Sequence, residues 1–188
     1  METAIFYPGA KNDTVQRVMY IERPHVAEKW VYLTIKRTLD TCFALIGLIV
    51  FTLPMSAIAL IIALDSPGDP IFKQERLGKD GKPFIMYKFR SMCEDAERDG
   101  PRWADADDAR CTHFGAFLRR TRLDELPQIW NILKGDMSFI GPRPTLTYHP
   151  WKLEEYTDFQ RRRFEVRPGI TGLAQVHGRK AIDWNDRI

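Results

Sequence analysis

"TCFALIGLIVFTLPMSAIALIIAL", running from Thr41 to Leu64, carries no charge over 24 residues. That is enough apolar chain for one helix to cross the hydrocarbon core of a bilayer, about 30 Å thick. Buried helices of soluble domains are usually shorter and show a polar face. A signal peptide does not fit: the run starts late, exceeds an apolar signal core, and no small-residue cleavage site follows it. The chain reads as a membrane protein, and the way this run enters the bilayer decides the fold. Pro54 sits near its middle, removing one helical hydrogen bond and favouring a bend. Lys36 and Arg37 precede the run, and Lys73, Arg76, Lys79 and Lys82 follow it. Basic flanks prefer the cytoplasm, so a single crossing suits only one of them. A helix that enters, bends at Pro54 and returns to the same face suits both. The hydroxyls of Thr52 and Ser56 are placed to help satisfy carbonyls freed by the bend. Charge alone leaves spanning and re-entry open.

The whole chain, at 188 residues, is sized for one domain with a proper core. Its net charge of +3 is unevenly spread. Between Glu94 and Asp108 seven acidic residues face only Arg98 and Arg102, so the remainder is strongly basic. A basic body suits an anionic partner: nucleic acid, a phosphorylated substrate or an anionic membrane surface. No nucleic-acid-binding motif appears and the apolar run argues against that partner, so no nucleic acid is expected. Cys42, Cys93 and Cys111 match no disulfide framework and suit a reducing compartment. Cys111 and His113 resemble half a metal site, but no second ligand pair follows at zinc spacing.

Around the membrane segment the sequence predicts a mainly α chain with a little β, an α+β protein. Residues 1–30 read as a polar N-terminal extension, 31–66 as the membrane element and 67–188 as the catalytic part of one domain. "DSPGDPIF" from Asp65 reads as a turn-rich exit, and "KPFIMYKFRSM" from Lys82 as a strand. Phe114–Arg122 reads as a short basic helix. Another helix follows Pro127, with Ile129, Ile132 and Leu133 on one face and Gly135 as its stop. "GPRP", Gly141 to Pro144, and "RPGITG", Arg167 to Gly172, read as turns. Between Pro150 and Val166 an amphipathic helix carrying Trp151, Tyr156 and Phe159 would rest either at the lipid interface or on an ordinary surface. The run Arg161–Arg163 is either a solvated face or a contact to phosphates.

Chemistry concentrates in "RLDELPQIWNILKGDMSFIGPRP", Arg122 to Pro144. Asp124 and Glu125 stand between Arg119, Arg120 and Arg122 on one side and Pro127 on the other. Helix capping and dipole complementarity account for one carboxylate before a helix start. They leave the second carboxylate and the arginines over.

Several motifs in fixed order carry a resemblance. "KRTLD", the apolar run with a central proline, "IFKQERLGKDGKPFIMYKFRSM", "LDELPQIWNILKGDMSFIGPRP" and "VRPGITGLAQVHGR" closely resemble the monotopic phosphoglycosyl transferases among bacterial sugar transferases. The resemblance covers roughly Ile35 to Arg179. It implies transfer of a sugar-1-phosphate from a UDP-sugar to undecaprenyl phosphate, with UMP as the second product. The product would be the first lipid-linked intermediate of surface polysaccharide or glycoconjugate synthesis. It implies a re-entrant membrane helix-hairpin kinked at Pro54 and a small catalytic domain with amphipathic interfacial helices. That domain would face the cytoplasm from the bacterial inner membrane, in contact with membrane lipids. A homo-oligomer is left open.

The resemblance further implies a magnesium ion at Asp124 and Glu125, with Asp124 as nucleophile; Glu125, also catalytic, either shares the metal or serves as proton acceptor. Arg119 aligns with a phosphate-anchoring arginine, Pro142, Arg143 and Pro144 with a Pro-Arg-Pro turn, and Gly178 and Arg179 with a late Gly-Arg. Such chemistry explains crowded acid and base: a carboxylate attacking a diphosphate needs its charges screened. The helix after Pro127 would add N–H groups to a phosphate cradle and favour ionised Asp124. Lys88 and Arg90 are either contacts to substrate phosphates or basic surface residues. Leu53 stands where the family often has Ser before the proline, and Leu173 and His177 stand where Trp and Asn are common. The acidic insert resembles members acting on simple hexoses such as glucose or galactose. A membrane-anchored docking module without catalysis is the rival reading, and it would tolerate loss of Asp124.

Overall fold

The computed structural model describes residues 3–5, 19–21, 29–93, 96, 108–148 and 151–176. Within 1–30, two short strands, β1 (Thr3–Ile5) and β2 (Met19–Ile21), pair antiparallel. The apolar run belongs to α1 (Trp30–Asp65), a helix of 36 residues and about 54 Å. Helical hydrogen bonding continues through Pro54, so any bend there lies within one helix and not in a turn between two. The neighbouring hydroxyls bond back one turn: Thr52 Oγ1 donates to Leu48 O, and Ser56 Oγ to Thr52 O at 2.9 Å. Neither serves Val50 O, whose N–H partner the proline removes. Back-bonding of this kind bends helices in its own right.

One face of α1 packs along most of its length on a single body. Ala44 packs with Met86, Ile129, Ile132 and Met137. Ile58 and Ile62 pack with Phe89 and Leu118. Completely burying Ile132 and Leu118 stabilises by about 1.5–3 kcal/mol each. Away from this face, Ile49, Val50, Leu53, Leu60 and Leu64 are exposed.

The body is built from short elements. Strands β3 (Ile71–Leu77) and β4 (Pro83–Phe89) form an antiparallel hairpin with Ile71 opposite Phe89 and Leu77 opposite Pro83. Helix α2 (His113–Thr121) is capped by Thr112, whose hydroxyl accepts from Gly115 N. Helix α3 (Gln128–Lys134) ends at Gly135, where φ is +96° and a side chain would be strained. Arg37 lies against that glycine and donates to Ile132 O (2.6 Å) and Leu133 O (2.9 Å), capping α3 from α1. Asn131, fully buried, pins α3 to β4: it accepts from Tyr87 N (3.0 Å) and donates to Ile85 O (2.6 Å).

Strand β5 (Ser138–Ile140) pairs in parallel with β6 (Gly169–Thr171), where the sequence suggests only a turn. Backbone approaches backbone here: a Cβ on Gly169 would sit 2.1 Å from Gly141 N, and one on Gly141 2.4 Å from Arg167 O. The continuous helix expected from Pro150 to Val166 is not formed. The described part is a 3-10 turn (Leu153–Glu155), α4 (Asp158–Arg161) and a second 3-10 turn (Arg162–Glu165). Thr157 and Gln160 make a reciprocal capping box, which restarts the helix after an extended Tyr156. Tyr156 turns inward, buried with Leu77 and Phe164, while Phe159 stays exposed.

Candidate active site

Asp124 and Glu125 lie on a single 3-10 turn, Leu123–Glu125, wedged between α2 and α3. Arg122 enters that turn with φ +64°, a left-handed conformation that costs a non-glycine residue about 1 kcal/mol or more. Packing of the turn holds this strain in place: both carboxylates end up buried, 8% exposed each.

Their surroundings differ. Glu125 Oε1 accepts from Arg143 Nη2 at 3.0 Å and from Lys88 Nζ at 3.2 Å, with Arg122 Nη1 at 3.7 Å. Burial alone would raise its pKa, but Lys88 and Arg143 together outweigh it and hold the group at about 2. Asp124 Oδ1 is buried with no hydrogen-bond partner. Burial pushes the Asp124 pKa up and Glu125 adds to this, against the pull of Lys88, Arg119 and Arg122. Burial thus works against ionisation of Asp124, where a helix N-terminus would favour it. The expected N–H cradle is largely spent: Glu125, Leu126, Ile129 and Trp130 donate to carbonyls of the preceding turn.

Lys88, on β4, is lowered to about 8, first by burial and then by Arg143, with Glu125 and Asp124 opposing. Arg119, in the last turn of α2, makes no hydrogen bond to either carboxylate but acts on Asp124 through its charge. In the Pro-Arg-Pro turn, Arg143 faces Glu125. Pro142 O accepts from Gly169 N (2.9 Å) and Pro144 O from Arg76 Nη1 (3.2 Å). So Asp124, Glu125, Lys88, Arg119 and Arg143 come together, and Pro142 and Pro144 hold the last of them.

Arg90 does not join them. It is buried at the end of β4 and donates to the C-terminal carbonyls of α1 and its exit: Pro67 O and Ser66 O at 2.6 Å each and Ile62 O at 3.3 Å. In this position it caps the C-terminal end of α1, apart from the Asp124–Glu125 cluster. Arg179, with Gly178, lies outside the described residues.

Two contributors escape a reading of the sequence. Asp40 of "KRTLD" accepts from Phe139 N (3.3 Å) and Lys36 Nζ (3.2 Å), tying α1 to β5 ahead of the Pro-Arg-Pro turn. Arg163 donates to Arg143 O at 2.8 Å. Only the density of charge in these short motifs hints at either. Among the described residues no group of three or more His, Cys, Asp or Glu gathers to hold a metal. Two adjacent carboxylates, one with a free buried oxygen, are what remains for a cation.

Residues 31–188 match the family described as bacterial sugar transferase. The chain is 53% identical over 139 residues to a Bacillus subtilis (strain 168) protein provisionally named an undecaprenyl-phosphate N-acetylgalactosaminyl 1-phosphate transferase. That match covers 71% of this chain and 77% of the relative. Over 156 residues it is 44% identical to the UDP-N-acetylgalactosamine-undecaprenyl-phosphate N-acetylgalactosaminephosphotransferase of Aeromonas hydrophila, covering 83% of this chain but 37% of that one. Over 144 residues it is 43% identical to the UDP-glucose:undecaprenyl-phosphate glucose-1-phosphate transferase of Escherichia coli (strain K12), covering 77% of this chain and 31% of the relative. The chain belongs to the bacterial sugar transferase family and is an enzyme of the phosphoglycosyl transferase type.

Proposed function

We propose that this enzyme transfers a sugar-1-phosphate from a UDP-sugar to undecaprenyl phosphate in two displacements. An Asp124 oxygen attacks the phosphorus that bears the sugar, and the bond from that phosphorus to UMP breaks. A phosphate oxygen of the lipid then attacks the same phosphorus, forming the diphosphate and returning Asp124 as a carboxylate. Splitting one displacement into two is the advantage of a covalent route. The reaction would begin surface polysaccharide or glycoconjugate synthesis. One observation carries the reading: of two adjacent buried carboxylates, Glu125 is clamped by Lys88 and Arg143 while Asp124 Oδ1 has no partner. A clamped acid shapes the site, and a free one is available to react.

Magnesium fits this donor set. Hard cations of this kind use one or two carboxylates and complete their shell with water and substrate phosphates. Asp124 and Glu125 would hold it, and it would screen the diphosphate charge that opposes carboxylate attack. Lys88, Arg119 and Arg143 supply positive charge to the same place.

For topology, the reading is re-entry from the cytoplasmic face of the inner membrane, with residues 31–66 as the membrane element and 67–188 as the catalytic part. What supports it is that both ends of α1 are tied by charged side chains to one body, Arg37 and Asp40 at its start and Arg90 at its end. A straight crossing would separate those ends by about 30 Å of hydrocarbon and draw charged residues into lipid. Measuring UMP release in the presence of undecaprenyl phosphate tests the function. The panel of donors is UDP-N-acetylgalactosamine, UDP-glucose and UDP-galactose. Release with at least one donor, lost in Asp124→Asn, is the expected outcome; no release with any, or equal release by the variant, contradicts it.

A further inference from the structure

Two buried side-chain amides stand three residues apart in α3, and the fold treats them differently. Asn131 is paired at both ends: it accepts from Tyr87 N at 3.0 Å and donates to Ile85 O at 2.6 Å and Asp136 Oδ2 at 3.3 Å. Gln128 is 2% exposed, and its Nε2 is buried with no hydrogen-bond partner. An amide NH2 taken out of water without an acceptor destabilises the fold. An apolar side chain of the same length would avoid that cost. An orphan of this kind points to a partner that arrives from outside the chain.

Its place says which partner. Residues three and four apart share a helix face. Asn131 and Ile132 both face β4, the first through Ile85 and Tyr87 and the second through Met86. Gln128 stands on that face one turn nearer the paired carboxylates, on the side where Lys88 follows Tyr87 and meets Glu125. Asp124, four residues before Gln128, carries the complementary orphan: Oδ1 is an acceptor, also buried and also without a partner. The two are not bonded to each other. A group that serves both must offer Asp124 an electrophile and Gln128 an oxygen that accepts. A phosphoryl group does so, with its phosphorus for the carboxylate and its non-bridging oxygens for the amide.

We infer that Gln128 is a further catalytic residue, its side-chain NH2 donating to a non-bridging oxygen of the phosphorus that Asp124 attacks. The inference rests on the proposed two-displacement transfer and adds a fixed, neutral donor for the oxygen that holds charge as the new bond forms. The contact is a hydrogen bond only, and no proton leaves the amide. Because the donor is held buried and unpaired, no bond to protein has to break when the phosphoryl group arrives.

The test is Gln128→Met in the full chain, which keeps the length of the side chain and removes its donors. Two readings should part. The denaturation midpoint without substrate should hold or rise, because a buried group without a partner has been removed. The rate of labelled-adduct formation from a UDP-sugar, with no acceptor present, should fall on the order of 10²-fold. A thio-substituted donor then locates the contact. Sulfur in place of one non-bridging oxygen on the sugar-bearing phosphorus is the weaker acceptor. With one of the two diastereomers the wild type should therefore lose more rate than Gln128→Met, which has no contact left to weaken.

A lowered midpoint would show that the amide already has a partner in the resting protein, and would overturn the inference. So would an unchanged rate, or an equal sulfur penalty in both proteins with both diastereomers. An active wild type that forms no adduct would instead defeat the two-displacement reading, and the inference with it.

Discussion

Arg143 sets its Nη2 3.0 Å from Oε1 of Glu125, and Lys88 brings Nζ to the same oxygen at 3.2 Å. One buried carboxylate oxygen therefore holds the Pro-Arg-Pro turn and β4 together. Lys88 carries the cost of this crowding. Its pKa falls from an ordinary 10.5 to about 8 because its charge is buried and Arg143 opposes it.

The sign of the pH dependence comes from that lysine. A lysine lowered on folding costs stability while charged, and this cost is relieved as pH rises from about 8 to 10.5, where the unfolded chain binds more protons. The site, however, loses a cation over the same range. Turnover should fall above about pH 8 without a matching fall in melting temperature from this group. Lys88→Arg, whose charge persists, should move the alkaline limb upward, whatever it does to the maximal rate. An alkaline limb unchanged by that substitution would show that Lys88 does not set it.

Arg163 is predicted to position Arg143. It donates to Arg143 O from a half-buried site, where its Nη1 has no partner and burial lowers its pKa. Arg163→Gln should lower kcat on the order of 10- to 100-fold, the cost of a small misplacement in a preorganised site. In an Arg143→Ala background the same change should have little further effect, since both act through one contact. Multiplying losses in the double variant would assign Arg163 a separate role.

Arg90 should matter for stability more than for chemistry. Arg90→Met keeps an unbranched apolar stem but leaves the carbonyls of Ser66 and Pro67 without their donor, while Ile62 O keeps Ser66 N. A loss of about 2–4 kcal/mol is expected, read as a lower denaturation midpoint. Unchanged stability with a raised UDP-sugar KM would return Arg90 to the substrate.

Parts of this structure are legible in the sequence because they rest on local chemistry. The apolar run, the strand beginning near Lys82, the basic helix ending near Arg122, and the Pro127–Gly135 helix with its glycine stop all come from period, charge or caps. The remainder depends on distant partners. Strand β3, "IFKQERL", has a pattern broken by charges and only its first two residues enter the sequence reading, as the end of a turn; pairing with β4 makes it a strand. Strands β5 and β6 are three residues each, too short for periodicity, and form because Gly141 and Gly169 let two backbones meet. The pattern of residues 150–166 favours a helix, but the capping box at Thr157 and the inward turn of Tyr156 prevail. In the site, the residue types at Asp124, Glu125 and Arg143 are readable. That Arg90 caps a helix while Lys88, two residues earlier, meets Glu125 depends on where α1 ends, which local sequence does not encode.

Topology gives a direct prediction. Single cysteines replacing Lys36 and Lys73, in a background with Cys42, Cys93 and Cys111 removed, should both react with a membrane-impermeant thiol reagent from the cytoplasmic side only. Pro54→Leu restores the missing helical hydrogen bond and should shift a fraction of molecules toward labelling from opposite sides. Opposite-side labelling of the unaltered helix would mean that it spans.

The central claim is that Asp124 carries the sugar phosphate between donor and acceptor. It is tested most directly by incubating the protein with magnesium and a UDP-sugar labelled in the sugar, leaving out the polyprenyl phosphate, and quenching rapidly in acid. The expected result is release of UMP in an amount up to that of the enzyme, with label on the peptide containing Asp124, lost on hydroxylamine treatment and absent from Asp124→Asn. An active protein that acquires no label, or an Asp124→Asn variant that acquires it equally, would contradict that claim.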